Sequence, residues 1–253
     1  MKTNGPSVAF ITGGNRGLGL QTARELGAKG IGVVLGVRDR SKAEAAVTTL
    51  RNEGIQVEAI RLDLADFDTH QEAFSYLSKR HGHLDILVNN AAVWLEDPPP
   101  KVAQPGGNRT STLPIEILRK TFETNFFGTV ALTQTLLPLL RSAEAGRIVN
   151  VSSILGSLAL QADPSSAIFS HKVFAYDSSK AALNSFTVHL AHELRNTPIK
   201  VNSAHPGWVK TEMGGEGASL EISEGGKTSA WLATLAADGP TGGFFHMQDA
   251  VPW

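Results

Sequence analysis

The chain has 253 residues, 42% of them apolar and 19% charged, with a formal net charge of −1. This composition suits a soluble globular protein with enough chain for a large core. Acids and bases are interspersed rather than blocked, which argues against a nucleic-acid surface or a polybasic membrane anchor. There is no cysteine, which excludes a disulfide framework, a thiolate nucleophile and a Cys-ligated zinc site.

Met1 to Pro6 leads straight into strand-like Val8-Ala-Phe-Ile11, without a basic region, an apolar stretch and a small-residue cleavage site. No uninterrupted apolar run approaches the ~18 residues needed to span a bilayer. The expectation is a cytoplasmic protein with a small-molecule substrate and neither a nucleic-acid nor a membrane partner. Asn108-Arg-Thr110 then reads as a chance glycosylation sequon.

Short apolar, β-branched runs follow in order at Val8–Ile11, Gly32–Val37, Val57–Leu62, Ile86–Val88, Arg147–Val151, Ile199–Ala204 and Gly243–Phe245. Helical-period segments separate them, and continuous apolar strands alternating with helices predict a parallel sheet covered on both faces. With right-handed crossovers this is a doubly wound α/β fold of about seven strands, with residues 1–253 forming one domain. Ser41-Lys-Ala-Glu44 has capping-box form, Gly54 is a plausible left-handed stop, and Asp68-Thr-His-Gln71 repeats the start. A third helix is expected from near Pro114, carrying Phe122, Asn125, Phe126 and Leu132 towards an end or kink at Pro138. A fourth carries Tyr176 to about Arg195. Residues 96–113 and 157–173 read as inserted loops, placed where strand carboxyl ends bind ligands.

The residues that carry chemistry lie at these strand ends. Thr12-Gly-Gly-Asn-Arg-Gly-Leu-Gly19 follows the first strand. Glycines at 13, 17 and 19 permit a tight turn, close approach of backbone to a pyrophosphate, and packing of helix on strand, with the anion at the helix amino terminus. The second strand ends Leu35-Gly-Val-Arg38. A ribose 2′-hydroxyl calls for a carboxylate there and a 2′-phosphate for arginine. Arg38 and Arg16 could clamp a phosphate dianion and favour NADP(H), while Asp39 is the competing ribose acceptor.

Asn125 is a poor helix former among Phe122, Phe126 and Phe127, which suggests a special role. Ser152 and Ser153 end the fifth strand run. Tyr176 and Lys180, four apart on one helix face, could keep an ammonium close to a phenol. A cation within ~4–6 Å can lower an acid's pKa by roughly 1–3 units. Tyr76 and Arg80 have the same spacing but no serine at a strand end upstream, and read as structural. His189 and His192 lie three apart on a helix without an evident third ligand, so no metal site is expected. His81-Gly-His83 reads as a loop.

Together these motifs resemble the short-chain dehydrogenase/reductase family over nearly the whole chain: the glycine turn, Asn89-Asn-Ala-Ala92, Asn125, Ser153, Tyr176 with Lys180, and Pro206-Gly207 occur in the family's order. The resemblance implies a cofactor site formed by Gly13, Asn15, Arg16, Gly17, Leu18, Gly19 and Arg38, with Asp63 and Leu64 at the adenine and Asn90 and Ala91 lining it. It places uncharged Val37 where NAD-preferring relatives carry the carboxylate. It gives Pro206, Gly207, Val209 and Thr211 to the nicotinamide end, where backbone groups of Val209 and the Thr211 hydroxyl would hold the carboxamide. Catalytic roles fall to Asn125, Ser153, Tyr176 and Lys180: Ser153 would bond the substrate oxygen, Tyr176 would give the proton, Lys180 would lower the Tyr176 pKa and hold the nicotinamide ribose, and Asn125 would hold a water leading to the lysine. Leu35-Gly-Val-Arg-Asp39, His205-Pro-Gly-Trp-Val-Lys-Thr-Glu-Met213, Gly239-Pro-Thr-Gly-Gly-Phe-Phe245 and Trp253 place the likeness nearest NADPH-dependent carbonyl reductases. The implied activity is hydride transfer to a ketone or aldehyde of a small hydrophobic substrate, with an oxidative alcohol or steroid dehydrogenase, or a non-catalytic NADP(H) sensor, as alternatives. A monomer and a homo-oligomer both fit.

Overall fold

The computed structural model describes residues 7–97 and 109–253; Pro98-Pro-Pro, Gly106-Gly, the Asn108 sequon and the segment before Ser7 lie outside the described residues. The described chain alternates strand and helix: β1 (Val8–Thr12), α1 (Gly17–Gly27), β2 (Gly32–Val37), α2 (Glu44–Asn52), β3 (Val57–Arg61), α3 (Asp68–His81) and β4 (Ile86–Asn89) make the first half. The second half contains α4 (Ile115–Phe122), α5 (Thr129–Ser142), β5 (Arg147–Val151), α6 (Leu158–Ala162), α7 (Phe174–Glu193), β6 (Lys200–Ala204), α8 (Ile222–Ala233), β7 (Phe244–His246) and β8 (Asp249–Ala250).

The strands form one sheet in the order β3-β2-β1-β4-β5-β6-β7-β8. Every pairing is parallel except β7 with β8. Alternate residues of each buried strand point to opposite faces. Phe10, Val34, Leu87 and Ile148 therefore pack with Leu77 of α3, Leu132 and Leu136 of α5, and Leu190 of α7. Ile11, Leu35, Val88 and Val149 pack on the other side with Leu26 of α1, Leu50 of α2 and Leu232 of α8. Each fully buried Leu or Phe contributes about 1.5–3 kcal/mol, so the two apolar layers anchor the sheet. The chain order reverses between β1 and β4, and a crevice opens there at the strand carboxyl ends.

The structure departs from the sequence reading in four places. An eighth, two-residue strand pairs antiparallel with β7, closed by a tight turn in which Met247 takes a φ of 54°; two residues are too few to show a period. Ser41 does not cap α2: Asp39 caps a 3-10 turn over Arg40–Ala43 by accepting the Ser41 N–H at 3.0 Å, and α2 follows from Ala43 without a side-chain cap. Likewise Asp66 accepts the Asp68 N–H at 3.3 Å at the start of α3. Residues 157–173 are not wholly loop, since Ser157 caps the short α6 by accepting the Leu160 N–H.

The fourth departure lies at the helix expected to break at Pro138. Pro138 sits inside α5, which runs on to Ser142. Pro138 and Gln134, whose carbonyl loses its partner, both lie on the exposed side, while Leu132, Leu136, Leu139 and Leu140 bury the opposite face. That burial outweighs the roughly 3 kcal/mol cost of an interior proline. The irregularity falls earlier: Glu123–Gly128, between α4 and α5, winds as a π-helical turn containing Asn125. Such turns commonly occur at functional sites. Gly128 closes this one against the loop after β3, where an added Cβ would lie 2.1 Å from the Leu64 carbonyl oxygen.

Candidate active site

A cleft of about 970 Å³ opens along the carboxyl ends of the strands. Its walls include Gly13, Asn15, Arg16, Gly17, Leu18, Arg38, Asp63, Leu64, Asn90, Ala91, Tyr176, Lys180, Pro206 and Thr211. Of the other expected residues, Gly19, Asn125, Ser153, Gly207 and Val209 stand behind or beside this surface rather than on it.

The turn after β1 is held from the neighbouring strand. Thr12 Oγ1 accepts the backbone N–H groups of Asn90 (3.0 Å) and Ala91 (2.9 Å), and the Asn90 amide donates back to the Thr12 carbonyl at 2.8 Å. At Gly19 an added Cβ would lie 2.5 Å from the Gly13 carbonyl oxygen, so only glycine lets α1 start this close to the turn. Asn89 works below the site: its amide donates to Asn150 (2.8 Å) and Thr133 (3.0 Å), tying β4 to β5 and α5.

The two arginines differ. Arg38 lines the cleft and makes no ion pair among the described residues. Arg16 pairs with Glu212 of the loop after β6, both side chains being well exposed. Asp39 is engaged elsewhere: its carboxylate accepts the Ser41 N–H and hydroxyl (2.6 Å), and the hydroxyl bond chiefly holds it ionised below the ordinary aspartate range. At the opposite end Pro206 and Thr211 line the wall. The Val209 carbonyl accepts the Thr211 N–H (2.8 Å), and the Thr211 hydroxyl accepts the Gly214 N–H (3.0 Å).

Tyr176, Ser153 and Lys180 come together where β5 meets α7. The strand end sets Ser153 beside the phenol, close enough for its side chain to hold the Tyr176 pKa down. Ser152 turns inward instead, with its hydroxyl towards the Lys180 carbonyl. Lys180 Nζ lies 5.6 Å from the Tyr176 ring centre and donates to the Val151 carbonyl at 2.7 Å. Burial dominates both titrations, raising the Tyr176 phenol and pulling Lys180 down to about 8. The expected lowering of Tyr176 by Lys180 is not what these contacts give: the lowering comes from Ser153, and Asp177 opposes it.

Asn125 is bonded through both ends of its side-chain amide. Its two amide N–H groups donate to the Val93 carbonyl (2.9 Å) and Ser179 hydroxyl (3.1 Å), and its oxygen accepts the Val93 N–H (2.8 Å). The amide thus joins the chain leaving β4 to α7. Tyr76, with the same spacing to a cation, is bonded to Glu58, which also binds Arg80; burial, aided by that bond, pushes the phenol up to about 12.

A model of the short chain dehydrogenase family matches residues 7–220. The chain belongs to the short-chain dehydrogenase family. Carbonyl reductase [NADPH] 1 of Homo sapiens is 32% identical to this short-chain dehydrogenase over 290 aligned residues, covering 99% of this chain and 100% of that one. The (+)-neomenthol dehydrogenase of Capsicum annuum is 29% identical, covering 99% and 98%. The structure of salutaridine reductase from Papaver somniferum superposes with a TM-score of 0.80 at 29% identity, covering 94% and 99%. No helix among the described residues is long and apolar enough to cross a membrane, and no group of three or more His, Cys, Asp or Glu among them could hold a metal ion.

Four site residues of this short-chain dehydrogenase carry no spacing signal. Trp94 stacks on the Tyr176 ring with centres 4.8 Å apart. Glu96 accepts the Tyr176 N–H. His205 is driven by burial down to about 3 and, neutral, accepts the Ile154 N–H at 3.3 Å. Asp177, beside the tyrosine, accepts the Val173 N–H and the Gln161 amide, both at 2.9 Å, and burial raises it from 3.8 to about 7, with Glu96 adding to the rise.

A carboxyl whose folded pKa lies above its unfolded value stabilises fully below the unfolded pKa, and that contribution disappears as pH rises through the folded one. Raising the pH from about 4 to 8 therefore costs wild type up to about 1.4 kcal/mol for each tenfold difference in proton affinity between the folded and unfolded states, a cost Asp177→Asn escapes. Urea denaturation of both proteins at pH 5 and 8 should show the variant gaining relative stability at the higher pH. A difference independent of pH would refute the assignment.

Proposed function

We propose that this enzyme reduces a ketone or aldehyde of a small hydrophobic substrate, with Tyr176 as the proton donor and Ser153 as the partner of the carbonyl oxygen. The observation that carries the reading is the buried pair Tyr176 and Lys180, 5.6 Å from ring centre to ammonium nitrogen, at one end of a cleft whose other end presents Arg38 and the glycine turn.

The cofactor is NADP(H), and the residues present fit it. The turn exposes backbone where side chains would collide, Arg38 is free of acids among the described residues, and Asp39 is committed to Ser41. A guanidinium without an internal partner suits a phosphate dianion. When bound, NADP(H) supplies the hydride. The chain's own residues do the rest. Tyr176, kept protonated by burial, gives its hydroxyl proton to the substrate oxygen as negative charge develops there, and Ser153 donates to the same oxygen. Lys180 keeps one N–H on Val151 and has two left for the ribose. Asn125 holds α7 in place for both. Val93 and Met213 give the wall apolar surface, in keeping with a hydrophobic substrate.

The test is a panel of activated ketones, aldehydes and quinones run with NADPH and with NADH. Turnover on at least one carbonyl class, with a much lower KM for NADPH, is the expected result. Absence of turnover above background across the panel, with NADPH still bound, would support a cofactor-binding sensor instead.

A further inference from the structure

Tyr176 is gripped from two sides by one short segment that no motif singles out. The chain leaving β4 runs Val93-Trp-Leu-Glu96 across the amino end of α7. Val93 is fixed first, by the paired hydrogen bonds between its backbone and Asn125. The next residue lays its indole on the Tyr176 ring, 4.8 Å between centres and 22° from parallel. Two residues on, the Glu96 carboxylate accepts the backbone N–H of Tyr176 itself at 2.8 Å. Tyr176 lies in the first turn of α7, where N–H groups have no intrahelical partner and a carboxylate is favoured by the helix dipole.

This arrangement is costly. Glu96 is only 5% exposed, and neither its Oε1 nor the Trp94 indole N–H finds a partner among the described residues. Burying polar groups without partners opposes folding, and an apolar pair would pack here without that cost. The cost falls on two groups that both touch Tyr176.

We infer that Trp94 and Glu96 are positioning residues for Tyr176, the indole fixing the plane of its ring and the carboxylate fixing the backbone that carries it. The inference rests on the reading of Tyr176 as proton donor. Two contacts, one on the ring and one on the main chain, leave the phenol little freedom to turn or slide, and a misplacement of about 1 Å can cost on the order of 100-fold in rate.

The experiment is a set of variants with kcat, KM and NADPH affinity measured on each. Glu96→Ala and Trp94→Ala should each lower kcat by about 10- to 100-fold while NADPH affinity, followed by its fluorescence, stays near wild type. Glu96→Gln keeps an acceptor and Trp94→Phe keeps a ring, so both should recover most of kcat; if an alanine variant fails to fold, the other alanine variant and these two carry the test. In a Tyr176→Phe background the same alanine changes should cost little more, because a group acting through the hydroxyl has nothing left to position. Undiminished kcat in both alanine variants, a parallel fall in NADPH affinity, or the same loss with and without the Tyr176 hydroxyl would overturn the inference. If Tyr176→Phe alone is fully active, the proton-donor reading fails instead.

Discussion

Replacing Tyr176 by Phe is expected to lower kcat for carbonyl reduction by about 10²–10⁴-fold, the usual contribution of a positioned acid. The substitution removes one oxygen and little else. The ring still stacks on Trp94, the backbone N–H still meets Glu96, and Lys180 still donates to Val151. NADPH affinity should therefore remain close to wild type, and the loss should appear in kcat rather than in the KM for the cofactor. Steady-state kinetics with a fluorescence titration of NADPH separates the two quantities. Retained turnover would remove Tyr176 from the proton path.

The second large effect is on cofactor choice. Arg38→Ala should weaken NADPH binding by about 10- to 100-fold, the equivalent of losing one or two charge-assisted hydrogen bonds. NADH lacks the 2′-phosphate and should bind almost as before. Arg38 is the sharper probe because Arg16 is shared with Glu212, so that removing Arg16 also frees an acid at the cleft mouth. Titrating both nucleotides against wild type and Arg38→Ala checks this. An equal loss for the two would mean that Arg38 acts on something other than the phosphate.

Much of the fold could be read from the chain because the strands are buried on both faces. Runs such as Val33-Val34-Leu35 and Ile148-Val149 have no polar alternation, and they belong to interior strands paired on both sides. The same argument fails for β8, where two exposed residues are held by pairing alone. Pro138 misleads because a local rule about one missing N–H meets four buried leucines. The oddness of Asn125 within a helix was visible, but the π-helical turn behind it was not, since its geometry comes from contacts with Val93, Ser179 and Leu64 made far along the chain.

At the site, residues that act through fixed spacing could be found from sequence: the glycine turn, and Tyr176 with Lys180. Residues that reach Tyr176 across 80 positions, as Glu96 does, leave no local trace. The electrostatics also required the fold. Spacing suggested that Lys180 governs the phenol, whereas desolvation outweighs any charge around it.

The bond between Arg16 and Glu212 joins the two lips of the cleft, one from the turn after β1 and one from the loop after β6. Both partners face water, so the pair contributes only about 0–1 kcal/mol and weakens as salt rises. The lips are thus fastened by a catch that thermal motion can undo.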